Sequence, residues 1–418
     1  METLELSEPS GHGGLWQPFR QSQQFRWLWL GQSLSSFGDN ILFVVVPMVV
    51  YSLTQSTIAM GLFMTLLTVP QVILLPFTGL MVDRWPRVRL MILTDAARFV
   101  LLLLLLLLNL TLGLNMEMLD AFAIVYGAMD ALFQPAYSAA RQQVFTPDIR
   151  NSANSLTQTA QTAARLLGPS LGGFLLTFGS ISWGLGIDAL TFVVSIVSLL
   201  FLHLPPPRDN SSYTSGFYGW VQQLLGGYHA LRKHAWLWIT ILVFALINIA
   251  FGGIVLILLP WLVKVHLGLP AVSYGLITSG EGVGSIMAAW LFGRKSRWRH
   301  RGLMGYLGTA FSAAGLAGLA LVHSLPLLIF LSAVSGAGIM VFGLIWEGSL
   351  QELVPTESFG RVVSLDMFGS VSLLPLGYIF TGWLSGIIGG INTIFYFGIG
   401  MLVLTLSVLL IPSIRHFD

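Results

Sequence analysis

Four ionisable residues, Asp39, Asp130, Arg165 and Glu281, stand inside stretches otherwise too apolar to hold charge. A charge at the centre of a bilayer costs roughly 2.5–3.5 kcal/mol on insertion scales, so each needs a compensating role. Asp39 lies about twelve residues into its apolar run, hence roughly 18 Å along a helix and near the middle of a membrane. A carboxyl group at that depth can take up and release a proton as its surroundings change, which is the chemistry of proton coupling. The structural alternative is a hydrogen bond that holds one helix against another. Glu281 has a similar depth among Gly280, Gly282 and Gly284, which permit close helix approach and give the acid room. Asp130 precedes Gln134 by four residues, so the two share nearly one helix face. Arg165 reads as the single midplane cation, and the sequence predicts that it pairs with Asp39 or Asp130. Such a pair can be purely structural, or a switch in which protonation of the acid frees the arginine.

Only membrane-spanning helices can position these groups. The chain has 418 residues, of which 55% are hydrophobic and 9% charged, against roughly 25% charged in soluble domains. Most of its exterior must therefore face lipid. A helix needs about 20 apolar residues to cross the hydrocarbon, and twelve segments qualify: 27–52, 58–82, 90–109, 118–140, 153–178, 181–203, 236–263, 270–292, 302–322, 326–351, 361–384 and 391–412. Their connections are short, except for a polar stretch from Pro205 to about Ala235 whose second part, 220–233, reads as an interfacial amphipathic helix. The expected plan is a tail over 1–26, a six-helix bundle over 27–203, a central loop over 204–235, a second six-helix bundle over 236–413 and a tail over 414–418. With both termini cytoplasmic, the loop arginines and lysines fall inside and Lys264 alone falls outside, as the positive-inside rule requires.

The two halves echo each other. Trp27-Leu28-Trp29 opens the first segment and Trp236-Leu237-Trp238 the seventh; Gln143 to Pro147 after the fourth matches Gln351 to Pro355 after the tenth. Duplication of this kind is the plan of many transporters. Other chemistries lack support. Net charge is +2 with arginines in short clusters, which argues against a nucleic-acid partner. There is no cysteine and the eight histidines are scattered, so no metal site is read. The acidic start, Met1-Glu2-Thr3-Leu4-Glu5, does not resemble a cleavable leader. No hydrolase elbow, nucleotide loop or zinc-helix motif is present, so any work must be driven by an ion or solute gradient.

The second and third apolar runs are joined by Gly79-Leu80-Met81-Val82-Asp83-Arg84-Trp85-Pro86-Arg87-Val88-Arg89. A glycine followed by Asp-Arg and further arginines in a tight loop between membrane helices resembles the signature of the major facilitator superfamily of secondary transporters. It departs at Pro86, where that family usually has a second glycine. Gly168-Pro169-Ser170-Leu171-Gly172-Gly173 resembles the family's antiporter element. Ser36-Phe37-Gly38-Asp39-Asn40, Asp95-Ala96-Ala97-Arg98 and the run Pro147 to Asn154 look like the drug-efflux branch that includes macrolide-efflux and enterobactin-export proteins. The first of these is also similar to lysophospholipid transporters.

The resemblance implies an all-α integral membrane protein with twelve transmembrane helices in two pseudo-symmetric six-helix bundles. Asp83, Arg84, Arg87, Asp95 and Arg98 would lie at or near the cytoplasmic face and, with Gly79 and Asp366, form a gating latch; simple topological anchoring by the arginines is the alternative. Helices 1, 4, 7 and 10 would line the cavity, offering Phe37, Asn40, Tyr126, Phe133, Gln134, Tyr137, Asn248 and Trp346. Greasy walls with a few polar groups suit a hydrophobic or amphipathic substrate. The expected function is proton-coupled antiport that exports such molecules by alternating access. The chain would act as a monomer, without cofactor beyond the proton gradient, in the cytoplasmic membrane of a bacterium. An exporter of a defined metabolite such as a siderophore, or a lysophospholipid flippase, is the alternative. A passive channel and a membrane-embedded enzyme are rivals of a different class, and the repeat and the missing catalytic motifs count against the enzyme.

Overall fold

The computed structural model describes residues 16–146, 148–204, 235–292, 300–354 and 356–415, and among them the backbone is helical without a strand. Apolar runs in lipid must satisfy every backbone donor and acceptor internally, and a helix does this within one segment. The helices are α1 (Gln23–Thr54), α2 (Thr57–Arg84), α3 (Arg87–Thr111), α4 (Met116–Val144), α5 (Arg150–Phe178), α6 (Ile181–Leu200), α7 (Ala235–His266), α8 (Ala271–Phe292), α9 (Arg301–Leu319), α10 (Leu325–Leu353), α11 (Thr356–Ser372, resuming as Leu374–Ile388) and α12 (Gly390–Val408). The predicted central amphipathic helix and the tails lie outside the described residues, apart from short stretches beside α1, α6 and α12.

Local chemistry sets the ends. Ser22 caps α1 by accepting from the Phe25 N–H at 3.0 Å, and Asn115 caps α4 by accepting from the Met118 N–H at 2.9 Å. Gln55, at φ 53°, closes α1 in the left-handed conformation. Trp85-Pro86 separates α2 from α3, because proline disfavours a helical residue before it.

Among the described residues, nine helices are long and apolar enough to cross a membrane. The other three, α4, α5 and α8, are comparably long but richer in Ser, Thr, Gln, Gly and charge. They are also the helices that carry Asp130, Arg165 and Glu281. In the first half α1 packs on α5 and α6, α2 on α4, and α3 on α4 and α6. The second half repeats this plan with α7 on α11 and α12, α8 on α10, and α9 on α10 and α12. Helix α7 departs from regular geometry. Two wider π-helical turns, Ile254–Leu258 and Leu262–His266, flank the segment containing Pro260, where the missing proline N–H prevents an ordinary helical ladder.

The bundles meet along α5–α8 and α2–α11. Ser170 Oγ lies 2.7 Å from Ser279 Oγ, the Val272 N–H donates to Thr177 Oγ1 at 3.0 Å, and Ser279 also donates to the Leu166 carbonyl. Opposite them, Thr65 Oγ1 donates to the Pro375 carbonyl at 2.9 Å and Ser385 Oγ to Thr57 Oγ1 at 2.7 Å. Glycine makes this approach possible. A side chain on Gly275 would collide with the Pro169 carbonyl, and one on Gly382 would lie 2.7 Å from the Thr57 carbonyl. These residues fall in the halves of α2, α5, α8 and α11 that lie away from the chain termini, so the molecule is closed at that end.

Candidate functional site

The charged groups meet inside the first bundle. Helix α3 carries Asp95 and Arg98 one turn apart, and both are buried. Arg98 Nη2 pairs with Asp95 Oδ1 at 2.5 Å, and Arg98 Nη1 lies 3.7 Å from Asp130 Oδ1 on α4. The other Asp95 oxygen accepts from Ser195 Oγ on α6 at 2.6 Å, and Ser195 in turn accepts from Gln32 Nε2 on α1 at 2.8 Å. Asp130 accepts from Gln71 Nε2 at 3.3 Å and Gln134 Nε2 at 3.4 Å. Tyr126 OH donates to Asp39 Oδ1 at 2.6 Å.

A fourth acid completes the group. Asp188 on α6 is fully buried; its Oδ1 lies 3.3 Å from Thr191 Oγ1 and its Oδ2 has no hydrogen-bond partner among the described residues. It lies within the electrostatic reach of Asp39, Arg98 and Asp95. Gly38 allows α1 this close, since a Cβ there would strike the Asp188 carboxyl. The Arg98 guanidinium lies 4.4 Å from the centre of the Phe133 ring and 4.6 Å from that of Phe192. Aromatic faces attract a cation where water is excluded.

Thus Arg98 ion-pairs with Asp95 and lies close to Asp130, while Asp39 joins the group through Tyr126, whose ring centre is 5.8 Å from the guanidinium, and Asp188 lies beside Gly38 of α1. Burying uncompensated charge is expensive, so the buried carboxyls of this group depend on Arg98 and on their hydrogen-bond donors. Asp39 also reaches solvent-accessible space. It lines a small cleft together with Gln32, Ser36, Gln134, Thr157 and Gln161, flanked by Phe133 and Tyr137.

The expected pairing of Arg165 with Asp39 or Asp130 is corrected. Arg165 is exposed on α5, the charged group it bears on is Glu281 of α8, and Arg98 is the cation that meets Asp130. The reason is packing: α3 lies against both α4 and α6, whereas α5 faces the other bundle. Asp95 and Arg98 are likewise interior rather than at a face. With α3 starting at Arg87, Arg98 is about 16 Å along the helix.

The rest of the predicted latch is not brought together among the described side chains. Arg87 Nη1 donates to the Ala139 carbonyl at 3.4 Å, Arg141 donates to Asn154 Oδ1 at 2.9 Å, and Asp366 accepts from Trp346 Nε1 at 3.0 Å. The side chains of Asp83 and Arg84, and the surroundings of Gly79, lie outside what the structure describes. In the Gly-Pro element, Gly168 and Gly172 face Asn40, Ile41 and Val44 of α1, and Gly173 faces Ala271 and Val272 of α8. Pro169 gives its carbonyl to the contact with Gly275.

Of the predicted cavity residues, Phe133, Gln134 and Tyr137 line the cleft beside Asp39. Its wall is mainly polar. Tyr126 is buried against Asp39, and Asn40 donates to the Ser36 carbonyl at 2.7 Å. Asn248 donates to the Ser370 carbonyl at 3.4 Å. Trp346 stacks on Phe342 at 5.9 Å, and Phe342 on Phe244 at 3.8 Å, inside the second bundle. Phe37 is half-buried. Sequence reasoning missed Asp188, Ser195, Gln32 and Gln71. For Asp188 the signal was available, because a lone acid in an apolar run is what marked Asp39.

Two packed helical bundles of repeated plan are the duplicated architecture found in many transporters. The chain belongs to the Major Facilitator Superfamily, whose sequence profile matches residues 28–373, and it is a membrane transporter of that family. The enterobactin exporter EntS of Escherichia coli (strain K12) is 26% identical over 411 residues, covering 94% of this chain and 93% of the relative. The uncharacterized MFS-type transporter YfiS of Bacillus subtilis (strain 168) is 27% identical over 192 residues, 46% of this chain and 44% of the relative. Among solved structures, the nucleoside transporter NupG superposes with a TM-score of 0.71 at 15% identity, covering 93% of this chain and 98% of that one. A bacterial homologue of the iron transporter ferroportin in its inward-facing state gives 0.68 at 17%, with 92% and 98% covered.

Proposed function

We propose that the chain is a proton-coupled exporter of an amphipathic, hydrogen-bonding small molecule. It works by alternating access as a monomer in a bacterial cytoplasmic membrane, with both termini inside and all twelve long helices crossing. On that orientation the end closed by the α5–α8 and α2–α11 contacts faces outward. The reading rests on one observation: Asp39 is joined through Tyr126 to the carboxylate cluster of Arg98 and also forms part of the wall of the cleft. A proton taken up by Asp39 removes a negative charge from the cluster, and loss of that proton restores it. The charge state of the cluster and the occupancy of the cleft are therefore linked, as exchange of substrate for protons requires.

The cleft narrows the substrate class. Gln32, Ser36, Gln134, Thr157 and Gln161 supply donors and acceptors beside Asp39, which favours a ligand rich in hydrogen-bonding groups, such as a siderophore. The relatedness to an enterobactin exporter supports the same choice. A broad hydrophobic drug profile is the second reading, favoured by Phe133 and Tyr137, whose rings stack 5.9 Å apart at the cleft.

Everted membrane vesicles test this directly. Uptake of a catecholate or hydroxamate siderophore and of a hydrophobic dye is measured for wild type and Asp39→Asn, with and without a proton uncoupler. Siderophore accumulation abolished by the uncoupler, and lowered at least tenfold by the substitution, is expected. Wild-type accumulation that ignores the uncoupler would sink proton coupling, and accumulation of the dye alone would move the substrate to the drug class.

A further inference from the structure

An open cleft lies far from the cluster, at the end of the molecule remote from the chain termini. We propose that it is a second binding site, for an amphiphile carrying one anionic group. Its apolar wall comes from the first bundle, where Met48 and Leu53 close α1, Leu114 follows α3, and Leu176 closes α5. The facing wall comes from the last turn of α7, which contributes Lys264, and from the α7–α8 connection with Leu269 and Pro270.

Lys264 is exposed, and among the described residues no acidic group pairs with it. It is also the cation that the charge pattern leaves alone at this end. A lysine lays its aliphatic stem along an apolar surface and keeps its ammonium at the edge. An unneutralised ammonium above an apolar wall is complementary to an anionic head joined to an aliphatic tail. A free fatty carboxylate and an anionic lysophospholipid share this chemistry.

The site has two owners. Thr177, another lining residue, accepts the Val272 N–H at 3.0 Å, so the cleft is floored by a hydrogen bond between the bundles. An occupant touches both walls only while α5 and α8 are in contact. Binding therefore favours the conformation closed at this end, and a saturating ligand slows a cycle that needs it to open. That consequence rests on alternating access; the binding does not.

The chain has no cysteine, so Leu53→Cys supplies a sole thiol at the rim. Maleimide labelling of that thiol is timed in phosphatidylcholine nanodiscs with dodecanoate, with lysophosphatidylglycerol, or with neutral monolaurin. At least fivefold slower labelling with an anionic probe is expected, with no change for monolaurin. The protection should disappear in Lys264→Gln and persist in Lys264→Arg. Protection by dodecanoate alone would identify a fatty carboxylate, and protection by lysophosphatidylglycerol alone a lipid headgroup. Equal protection by monolaurin, or protection that survives Lys264→Gln, would overturn the proposal. Labelling does not depend on transport, so failure of the exporter reading leaves this test intact.

Discussion

Arg98 is the one cation in the cluster, and each buried group around it depends on that charge. Replacing it by methionine keeps much of the volume but strands Asp95, which is buried on α3 and bonded to Ser195. Breaking a buried ion pair by removing one partner costs about 3–5 kcal/mol, so Arg98→Met should markedly lower the unfolding temperature in detergent. Asp188→Asn should behave in the opposite way. The orphaned Oδ2 or its partner oxygen becomes an amide donor near Asp39, and one like charge leaves the cluster. We expect an unchanged or higher unfolding temperature together with altered proton-dependent uptake. A melting temperature that drops as far as that of Arg98→Met would refute this account of Asp188. Asp39 and Asp130 were legible because an acid in an apolar run is conspicuous. Arg98 was misplaced because the sequence started its helix at residue 90 rather than Arg87, and because depth along a helix does not reveal which neighbours surround it.

At the level of elements, the interface of α5 with α8 and of α2 with α11 is built by backbone proximity. Gly275 rests directly on the Pro169 carbonyl, whereas a Cβ on Gly386 would meet its nearest neighbour, Ile58, at an ordinary 3.5 Å. Gly275→Ala must therefore push α8 from α5, while Gly386→Ala fits. We expect the first to cut uptake at least tenfold with unchanged helical circular dichroism, and the second to transport like wild type. Equal activity of the two variants would show that this contact is not needed in the cycle. The sequence displayed the Gly-Pro element but not its partners. That Gly168 and Gly172 serve α1 while Gly173 serves α8 depends on which faces of α5 the fold presents. The π-helical turns of α7 were hidden for a related reason: Pro260 announces a disturbance, but how neighbouring turns absorb it is set by packing. The all-helical character, by contrast, was readable, because apolar runs of bilayer length leave the backbone little alternative to a helix.

At the scale of the whole molecule, alternating access requires the end remote from the termini to open as the other closes. Thr57 and Ser385 offer a direct way to hold it shut. They belong to different bundles and their hydroxyl oxygens lie 2.7 Å apart, so cysteines at both positions place their sulfurs close enough to join; a disulfide needs Cβ atoms about 3.5–4.5 Å apart. No native thiol competes, because the chain contains no cysteine. The bond would pin α2 to α11 at the point where hydrogen bonds already tie the bundles. We expect oxidised Thr57→Cys/Ser385→Cys protein to lose substrate uptake in everted vesicles, the reduced protein to recover it, and each single variant to be indifferent to oxidant. Binding of substrate to the cleft beside Asp39 should persist in the locked form, since that cleft lies within the first bundle. Full transport by demonstrably cross-linked protein would mean that the bundles never part at this end. The substrate would then need another route, and the two-bundle cycle itself would have to be abandoned.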